Sequence, residues 1–312
     1  MTKEFQVIQK RRLYLSISIL AVALSVVFLS LWGFKLGIDF TSGSLLEVRF
    51  KGTLPTTDQL SATLKTTDLG DSFTLQPTEN NGYIIRFQSI DEKVHQQVMD
   101  KIKADYEPKE KENNFVSQER YESIGPTIGS ELRTKAFYAI ILVNIFIVLY
   151  VAWSFRKVSY PVKSWRYGVA AVIALIHDIT ITMGVFAVLG HFAGVEINTA
   201  FIVALLTILG YSVNDTIVVF DRIRENLSKL PKMEFEVLVN RSVNETMARS
   251  INTSMTVMLV LLAVFIFGGA SIHYFALALL VGVFCGTYSS IFIASTLLVI
   301  WEKWKHNRAQ TS

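Results

Sequence analysis

The chain has 312 residues, of which 51% are hydrophobic and 18% are charged, and its mean hydropathy is +0.39. This composition excludes an ordinary soluble domain and is typical of an integral membrane protein. The single cysteine, Cys285, excludes a disulfide framework and a thiolate metal site within the chain. The histidines are scattered, which argues against a zinc-dependent hydrolase. The sequence has no GxxxxGK[ST] loop, which argues against nucleotide hydrolysis by a P-loop.

Apolar stretches of membrane-spanning length occur six times along the chain. They cover residues 13–32, 136–155, 167–190, 197–220, 251–267 and 275–301. Each is near or above the roughly 20 residues that a spanning helix needs. The sequence therefore predicts a polytopic α-helical membrane protein with six transmembrane helices, a short N-terminal segment 1–12 and a tail 302–312.

The first apolar stretch follows Lys10, Arg11 and Arg12, an arrangement that also opens secretory signal peptides. It is long, however, and it ends at Trp32 without a small-x-small cleavage site. We therefore expect a retained membrane anchor.

The polar stretch 33–135 is long enough to fold by itself. Its patterns predict strands at 45–50, 72–76, 83–87 and 115–121, helices at 57–66 and 91–105, and a turn at Asn80-Asn81-Gly82. The order β-α-β-β-α-β is that of a ferredoxin-like α+β domain. Since the stretch has no paired carboxylates or nucleophile constellation, a binding or lever-arm role is expected.

The basic residues are distributed asymmetrically between the two sides of the predicted membrane. The loops on one side, together with the ends of the chain, contain 17 Lys and Arg, whereas the loops 191–196 and 268–274 contain none. The positive-inside rule then places both termini in the cytoplasm and the domain 33–135 outside it. Because this asymmetry accounts for the net charge of +4, no nucleic-acid partner is expected.

Two ionisable residues, His177 and Asp178, lie almost midway along the third apolar stretch. A charge at that depth is costly, and such residues often mark a proton or ion path. Successive side chains of a helix turn by about 100°, so we expect one of the two to point inward and the other to the rim. The alternative is a pair that only holds neighbouring helices together.

The fourth apolar stretch contains Gly210-Tyr-Ser-Val-Asn-Asp215, and its carboxylate is the leading functional candidate. Helical spacing places Tyr211, Ser212 and Asp215 on one face, with Asn214 at its edge. A buried polar pair that only joins helices is the alternative.

Arg249 and Thr253 lie one helical turn apart near the start of the fifth stretch. Antiparallel helices would place Arg249 at the depth of Asp215, where a pair that forms and breaks could act as a proton switch. The alternative is that Arg249 reaches the lipid phosphates. We expect residues 221–250 to form a cytoplasmic connection, with 227–239 lying at the membrane interface.

The last apolar stretch has small residues at four-residue spacing: Gly282, Gly286, Ser290 and Ala294. Such a seam allows two helices to approach closely, and we interpret it as a packing feature.

Several motifs together resemble the SecF subunits of bacterial and archaeal SecD-SecF protein-export complexes, within the resistance-nodulation-division superfamily. The resemblance is collinear over nearly the whole chain. It is carried by 37–43 with Asp39 and Gly43, 124–129 with Gly125 and Pro126, His177-Asp178, 210–216 with Gly210, 221–226 with Asp221 and Arg222, Arg249 with Thr253-Ser254, and 286–290. The first motif of the family usually ends in paired glycines, whereas this chain has Ser42 at the first of them. If the turn requires a positive φ there, Ser42 should be strained.

The resemblance implies a non-enzymatic subunit of the cytoplasmic membrane without a cofactor, driven by a proton gradient or, as the alternative, a sodium gradient. SecD would be its heterodimer partner, beside the SecY-containing channel, accessory membrane subunits and the preprotein. Asp215 would be the titrating group and Arg249 its basic partner. Asn214, Asp178 and Thr253 would support them. His177, next to Asp178, would belong to the same proton relay.

Three other functions remain open at this point. A lipid or small-molecule exporter of the same superfamily would usually carry two large outer loops in one chain, and this chain has one. A membrane-embedded hydrolase would need a nucleophile paired with a base, and the sequence shows no Ser or Cys in such a pairing. A passive scaffold of the translocation channel would tolerate Asp215→Asn.

One outer loop and six helices also resemble half of a parallel-repeat transporter, which favours a second chain as partner.

Overall fold

The computed structural model describes residues 5–52, 54–78, 81–88, 91–107, 115–155 and 162–310. The chain divides into two compact units, one formed by Met1–Lys35 with Ala136–Ser312 and the other by Leu36–Lys135. Asn80 of the predicted turn and residues 156–161 of a predicted basic loop lie outside the described ranges.

The described helices are numbered in chain order. They are α1 (Arg11–Trp32), α2 (Ile38–Thr41), α3 (Thr57–Lys65), α4 (Glu92–Tyr106), α5 (Pro126–Ser154), α6 (Ser164–Ala193), α7 (Thr199–Lys229), α8 (Phe235–Phe267), α9 (Ala270–Ser289) and α10 (Ser295–Gln310). A π-helical segment, Ser290–Ala294, joins α9 to α10 without a break. Six spans are long and apolar enough to cross a membrane: α1, α5, α6, α7, α8 and the stretch Ile272–Trp304. The predicted number of membrane-crossing helices is confirmed for the described residues.

The segment predicted as a connection, 221–250, is mostly helical. α7 continues to Lys229 and α8 begins at Phe235, so only residues 230–234 lie outside the two helices. Charged pairs at four-residue spacing support these extensions: Lys229 binds Glu225 at 2.6 Å, and Arg241 binds Glu245 at 2.9 Å. These pairs stabilise a helical hairpin, in which residues 227–229 and 235–239 of the predicted interfacial segment are helical.

The second unit contains a four-stranded antiparallel sheet of β1 (Gly43–Lys51), β2 (Phe73–Thr78), β3 (Gly82–Phe87) and β4 (Phe115–Ile124), in the order β2-β3-β1-β4. With α3 and α4 between strands, this is the predicted β-α-β-β-α-β order, and the ferredoxin-like fold class is confirmed. Alternate residues of the central strands, including Leu46, Val48 and Ile85, are buried in a core shared with Leu60 and Ile102 of the helices.

The corner between α2 and β1 places Ser42 in a conformation that favours glycine. Ser42 has φ 68° and ψ 164°, and Gly43 follows with φ 120°. A Cβ on Gly43 would lie 2.7 Å from the carbonyl oxygen of Phe87, so only glycine fits there. The expected strain at Ser42 is therefore present, and it costs about 1–3 kcal/mol for a residue with a side chain.

Ser42→Gly is expected to stabilise the second unit by about 1 kcal/mol, because the released strain exceeds the added freedom of the unfolded chain. Amide hydrogen exchange of β1 and β3 in the full-length protein measures this gain. Ser72→Gly is a suitable control, since Ser72 is exposed and is not among the residues with positive φ. Equal protection in the two variants would contradict the assignment of strain.

Candidate functional site

Asp178 on α6 is completely buried and is the centre of a hydrogen-bonded cluster. Its Oδ2 accepts from the hydroxyl of Ser212 on α7 at 2.6 Å and from that of Ser289 on α9 at 2.8 Å. Its Oδ1 lies 2.9 Å from Nδ1 of His177. Three hydrogen-bond partners therefore satisfy both oxygens, and the carboxyl connects three helices.

The expectation that His177 and Asp178 point to different environments is wrong, because both side chains are buried. The two side chains bend toward each other over a shared Nδ1–Oδ1 contact, which overcomes the angular separation of their Cα–Cβ bonds. The His177 ring also stacks on Tyr288, whose hydroxyl donates to the Tyr14 carbonyl of α1 at 3.0 Å. Nε2 of His177 is buried without a hydrogen-bond partner among the described residues.

Asp215 on α7 is 8% exposed and has a different environment from Asp178. Its Oδ1 accepts from the Ser250 hydroxyl of α8 at 2.5 Å. Its Oδ2 is buried and has no hydrogen-bond partner within the described ranges. Asp215 is thus the less saturated of the two carboxyls, and it can take up a further partner without breaking an existing cluster.

The structure does not bring Arg249 to Asp215. Arg249 is exposed, and the described residues contain no ion pair between these two side chains. The reason is the rotation of α8: Ser250 faces α7, and Arg249 precedes it by about 100° around the helix. Thr253 is also exposed and donates to the Arg249 carbonyl at 2.8 Å, while Asn214 is exposed on α7.

Sequence reasoning missed a stripe of small hydroxyl side chains on α8: Ser242, Thr246, Ser250 and Ser254, all buried. Ser254 accepts from the Tyr211 hydroxyl at 3.1 Å and from the Thr287 hydroxyl at 2.5 Å. The four-residue spacing of Ser and Thr was a readable signal, because it marks a helix face that meets polar neighbours. This face, and not Arg249, supplies the contact to Asp215.

The small-residue seam of α9 packs against α7. A Cβ on Gly282 would collide with the side chain of Ile208, and a Cβ on Gly286 would lie 2.9 Å from Cβ of Ser212. One turn further, the hydroxyls of Ser290 and Thr216 are 2.8 Å apart. The close approach allows α9 to reach the cluster around Asp178.

Gly286→Ala is expected to destabilise the protein by about 1–3 kcal/mol, because the added methyl group displaces Ser212 from Asp178. Unfolding of the purified protein in mixed micelles measures the change. Gly210→Ala is the matched control, since no heavy atom lies within 4 Å of the added Cβ. Alanine should stabilise that helix position by about 0.5–1 kcal/mol. Equal stability of the two variants would contradict close packing at Gly286.

The charged motif that begins at Asp221 connects α7 to α8. Nε of Arg222 donates to Glu245 at 2.6 Å, and Asn226 donates to the same carboxylate at 2.8 Å. Asp221 pairs with Arg224. The Asp221–Arg224 pair lies within α7, whereas the contacts of Arg222 and Asn226 to Glu245 hold the extended ends of the two helices together.

The remaining predicted motif residues lie in the second unit or at its junction with α5. Asp39 is in the first turn of α2, and Pro126 is the first residue of α5, a position where proline is favoured. Gly125 accepts the backbone N–H of Gly129 at 3.0 Å. No group of three or more His, Cys, Asp or Glu side chains in the described part of the chain has a metal-binding arrangement.

Comparison with known proteins places this architecture in one family. The family described as "Protein export membrane protein SecD/SecF, C-terminal" matches residues 105–304, and "SecD/SecF GG Motif" matches residues 33–53. This chain belongs to the SecD/SecF family. Two SecD/SecF relatives named "Protein translocase subunit SecF" match along nearly their whole length. The one from Thermobaculum terrenum is 41% identical over 95% of this chain and 93% of its own, and that from Anaerolinea thermophila is 39% identical over 96% of each.

Solved SecDF structures have the same fold. A crystal structure of SecDF from Thermus thermophilus, described as a translocon-associated membrane protein, has a TM-score of 0.81 and 33% identity over 97% of this chain. A crystal structure of SecDF in a super-membrane-facing form has a TM-score of 0.70 and 32% identity over 100% of this chain. This chain spans 39% and 41% of those two longer chains.

Proposed function

We propose that this chain is a SecF-type subunit of the Sec protein-export machinery. It acts with SecD and uses the proton motive force, or a sodium gradient, to promote the late translocation and release of preproteins. One observation supports the proposal above all others: Asp215 is buried among membrane helices with one oxygen bonded to Ser250 and the other without a partner in the described ranges. Such a carboxyl is suited to change its proton and its partner.

Exposed polar residues on α7 and α8 support SecD as the partner. Thr207, Gly210 and Asn214 form an exposed row at three- and four-residue spacing, and Arg249 and Thr253 form another on α8. Polar groups are costly against lipid, so these rows are suited to face helices of a second subunit. The longer SecDF chains contain this fold and additional sequence, which agrees with a second half of that kind.

The membrane orientation in this proposal has both termini in the cytoplasm and the ferredoxin-like unit outside. It rests on the distribution of Lys and Arg. The outer unit would then act on the preprotein, next to the SecY-containing channel and its accessory subunits. Labelling of single cysteines, placed at exposed Ser72 and at exposed Lys232 in a Cys285→Ala background, tests this orientation with a membrane-impermeant maleimide. Only the first should react from outside.

The energy available matches this role. Moving one charge through 100 mV is worth about 2.3 kcal/mol, so a few protons shift a conformational equilibrium by several kcal/mol. Asp215 would take the proton, and the change of partner would turn α8 against α7. No covalent chemistry is required of the chain.

Inverted membrane vesicles containing this chain and its cognate SecD test the proposal. Completion of preprotein transport is followed after the ATP-driven step, with and without an ionophore that collapses the gradient. We expect the late step to depend on the gradient only when both subunits are present. A late step that is equally fast without the gradient would favour the scaffold, and gradient-driven efflux of a lipid without any effect on preproteins would favour the exporter.

A further inference from the structure

A short segment before α1, residues 5–10, is held against the beginning of α8; we call it the strap. Val7 and Ile8 are 1% and 0% exposed. The side chains of Asn240 and Asn244, one turn apart on α8, bind its backbone. The contacts are Val7 N–H and Ile8 N–H to Asn240 Oδ1 at 3.0 and 3.2 Å, Phe5 N–H to Asn244 Oδ1 at 2.8 Å, and Asn244 Nδ2 to the Phe5 carbonyl at 2.9 Å.

Charged contacts reinforce the strap at the first turn of α8. Glu236 pairs with Arg11 at the start of α1 and with Lys303 on α10. Its side chain is only 14% exposed, so water screens these pairs less than it would at an open surface. The N-terminal segment 5–11 and α10 therefore both hold this end of α8.

The opposite side of α8 is held by α7. Asn226 donates to the Ser242 hydroxyl at 2.9 Å, and Arg222 reaches Glu245. Asn240 and Ser242 are two residues apart, which separates their directions by about 200° around the helix. The contacts of the strap with Asn240 and of α7 with Ser242 lie on nearly opposite sides of α8, and together they fix its rotation about its own axis.

This rotation decides which side chain faces Asp215. α8 is continuous from Phe235 to Phe267, so a turn at its beginning moves Arg249 and Ser250 as well. Most of its apolar half is exposed in this chain, and the contacts that such a turn would break there include those of Ser254 with Tyr211 and Thr287. A rotation of about 100° would exchange Ser250 for Arg249 opposite Asp215.

We propose that the strap is a clamp that holds α8 in the rotation in which Ser250 bonds Asp215, and that its release lets Arg249 approach Asp215. Asn240 and Asn244 are then positioning residues for the membrane carboxyl, although they are several turns away from it. The inference rests on the proposed role of Asp215 in ion coupling and names the element that regulates that site.

Asn240 offers a matched pair of variants. Its Oδ1 only accepts hydrogen bonds from the strap, so Asn240→Asp keeps both contacts, whereas Asn240→Leu removes them at similar volume. The readout is the rate at which dicyclohexylcarbodiimide modifies Asp215 in the assembled complex, measured by mass spectrometry. We expect Asn240→Leu to slow modification several-fold because Arg249 covers the carboxylate, and Asn240→Asp to match wild type.

Adding Arg249→Gln to Asn240→Leu should restore the wild-type rate, since the covering group is gone. Equal rates in Asn240→Leu and Asn240→Asp, or a failure of Arg249→Gln to restore the rate, would overturn the proposal.

A locked strap provides a second test, in which the oxidised and reduced forms of one variant are compared. Phe5→Cys with Asn244→Cys, in a Cys285→Ala background, joins the strap to α8 on oxidation. Oxidation should stop the gradient-dependent step in vesicles, and reduction should restore it. If the oxidised protein still performs that step while Asp215→Asn does not, the clamp is wrong and the coupling role stands. If Asp215→Asn also performs it, the proposed function itself falls.

Discussion

Asp215→Asn is expected to reduce the late step of preprotein transport to the rate seen with a collapsed gradient, while the ATP-driven step continues. The reason is that the amide keeps the acceptor for Ser250 but cannot exchange a proton. Because that hydrogen bond survives, the change in stability should stay within about 1 kcal/mol. Vesicle transport with and without ionophore, together with co-purification of SecD, measures both effects.

The matched control for this substitution is Asn214→Asp with Asp215→Asn, which moves the carboxyl to the exposed neighbouring position. Net charge and composition are unchanged, but the carboxyl no longer contacts Ser250. We expect the double variant to be as defective as Asp215→Asn. Transport at the wild-type rate in the single variant would remove Asp215 from the coupling mechanism and favour a scaffold.

Asp178→Ala is expected to cause the largest loss of stability among substitutions in the membrane unit. It leaves the hydroxyls of Ser212 and Ser289 and the His177 ring without their common acceptor. Each unsatisfied buried group costs about 1–3 kcal/mol, so the total should reach several kcal/mol. Unfolding in mixed micelles and the yield of folded protein measure the effect.

Asp215→Ala separates this structural effect from a general cost of removing a membrane carboxyl. It leaves only Ser250 without its partner, so its cost should be about 1–3 kcal/mol. The two aspartates would then have different roles, one structural and one in coupling. If Asp215→Ala were the more destabilising of the two, this division would be wrong.

The sequence predicted those features that depend on local composition. Six apolar stretches led to six membrane-crossing helices, and the alternation around Leu46 and Ile85 led to the ferredoxin-like sheet. The strain at Ser42 was also foreseeable, because a family turn built on two glycines demands a backbone that serine rarely adopts. Both membrane aspartates stood out because charge is rare in apolar helices.

Features that depend on the rotation of one helix against another were not predictable in this way. Arg249 and Ser250 are adjacent, and their spacing from other residues does not decide which of them faces Asp215. Charge favoured Arg249, whereas packing of the hydroxyl stripe places Ser250 there. The strap was overlooked for a similar reason, since its partners Asn240 and Asn244 lie more than 230 residues further along the chain.

The central claim is that Asp215 changes its proton during the cycle, and infrared difference spectroscopy tests it most directly. A pH jump is applied to the reconstituted complex with SecD, and the carboxylic C=O stretch is recorded for wild type and Asp215→Asn. We predict a difference band that is present in wild type and missing in Asp215→Asn. The same band in both proteins would assign the proton to another group and contradict the account.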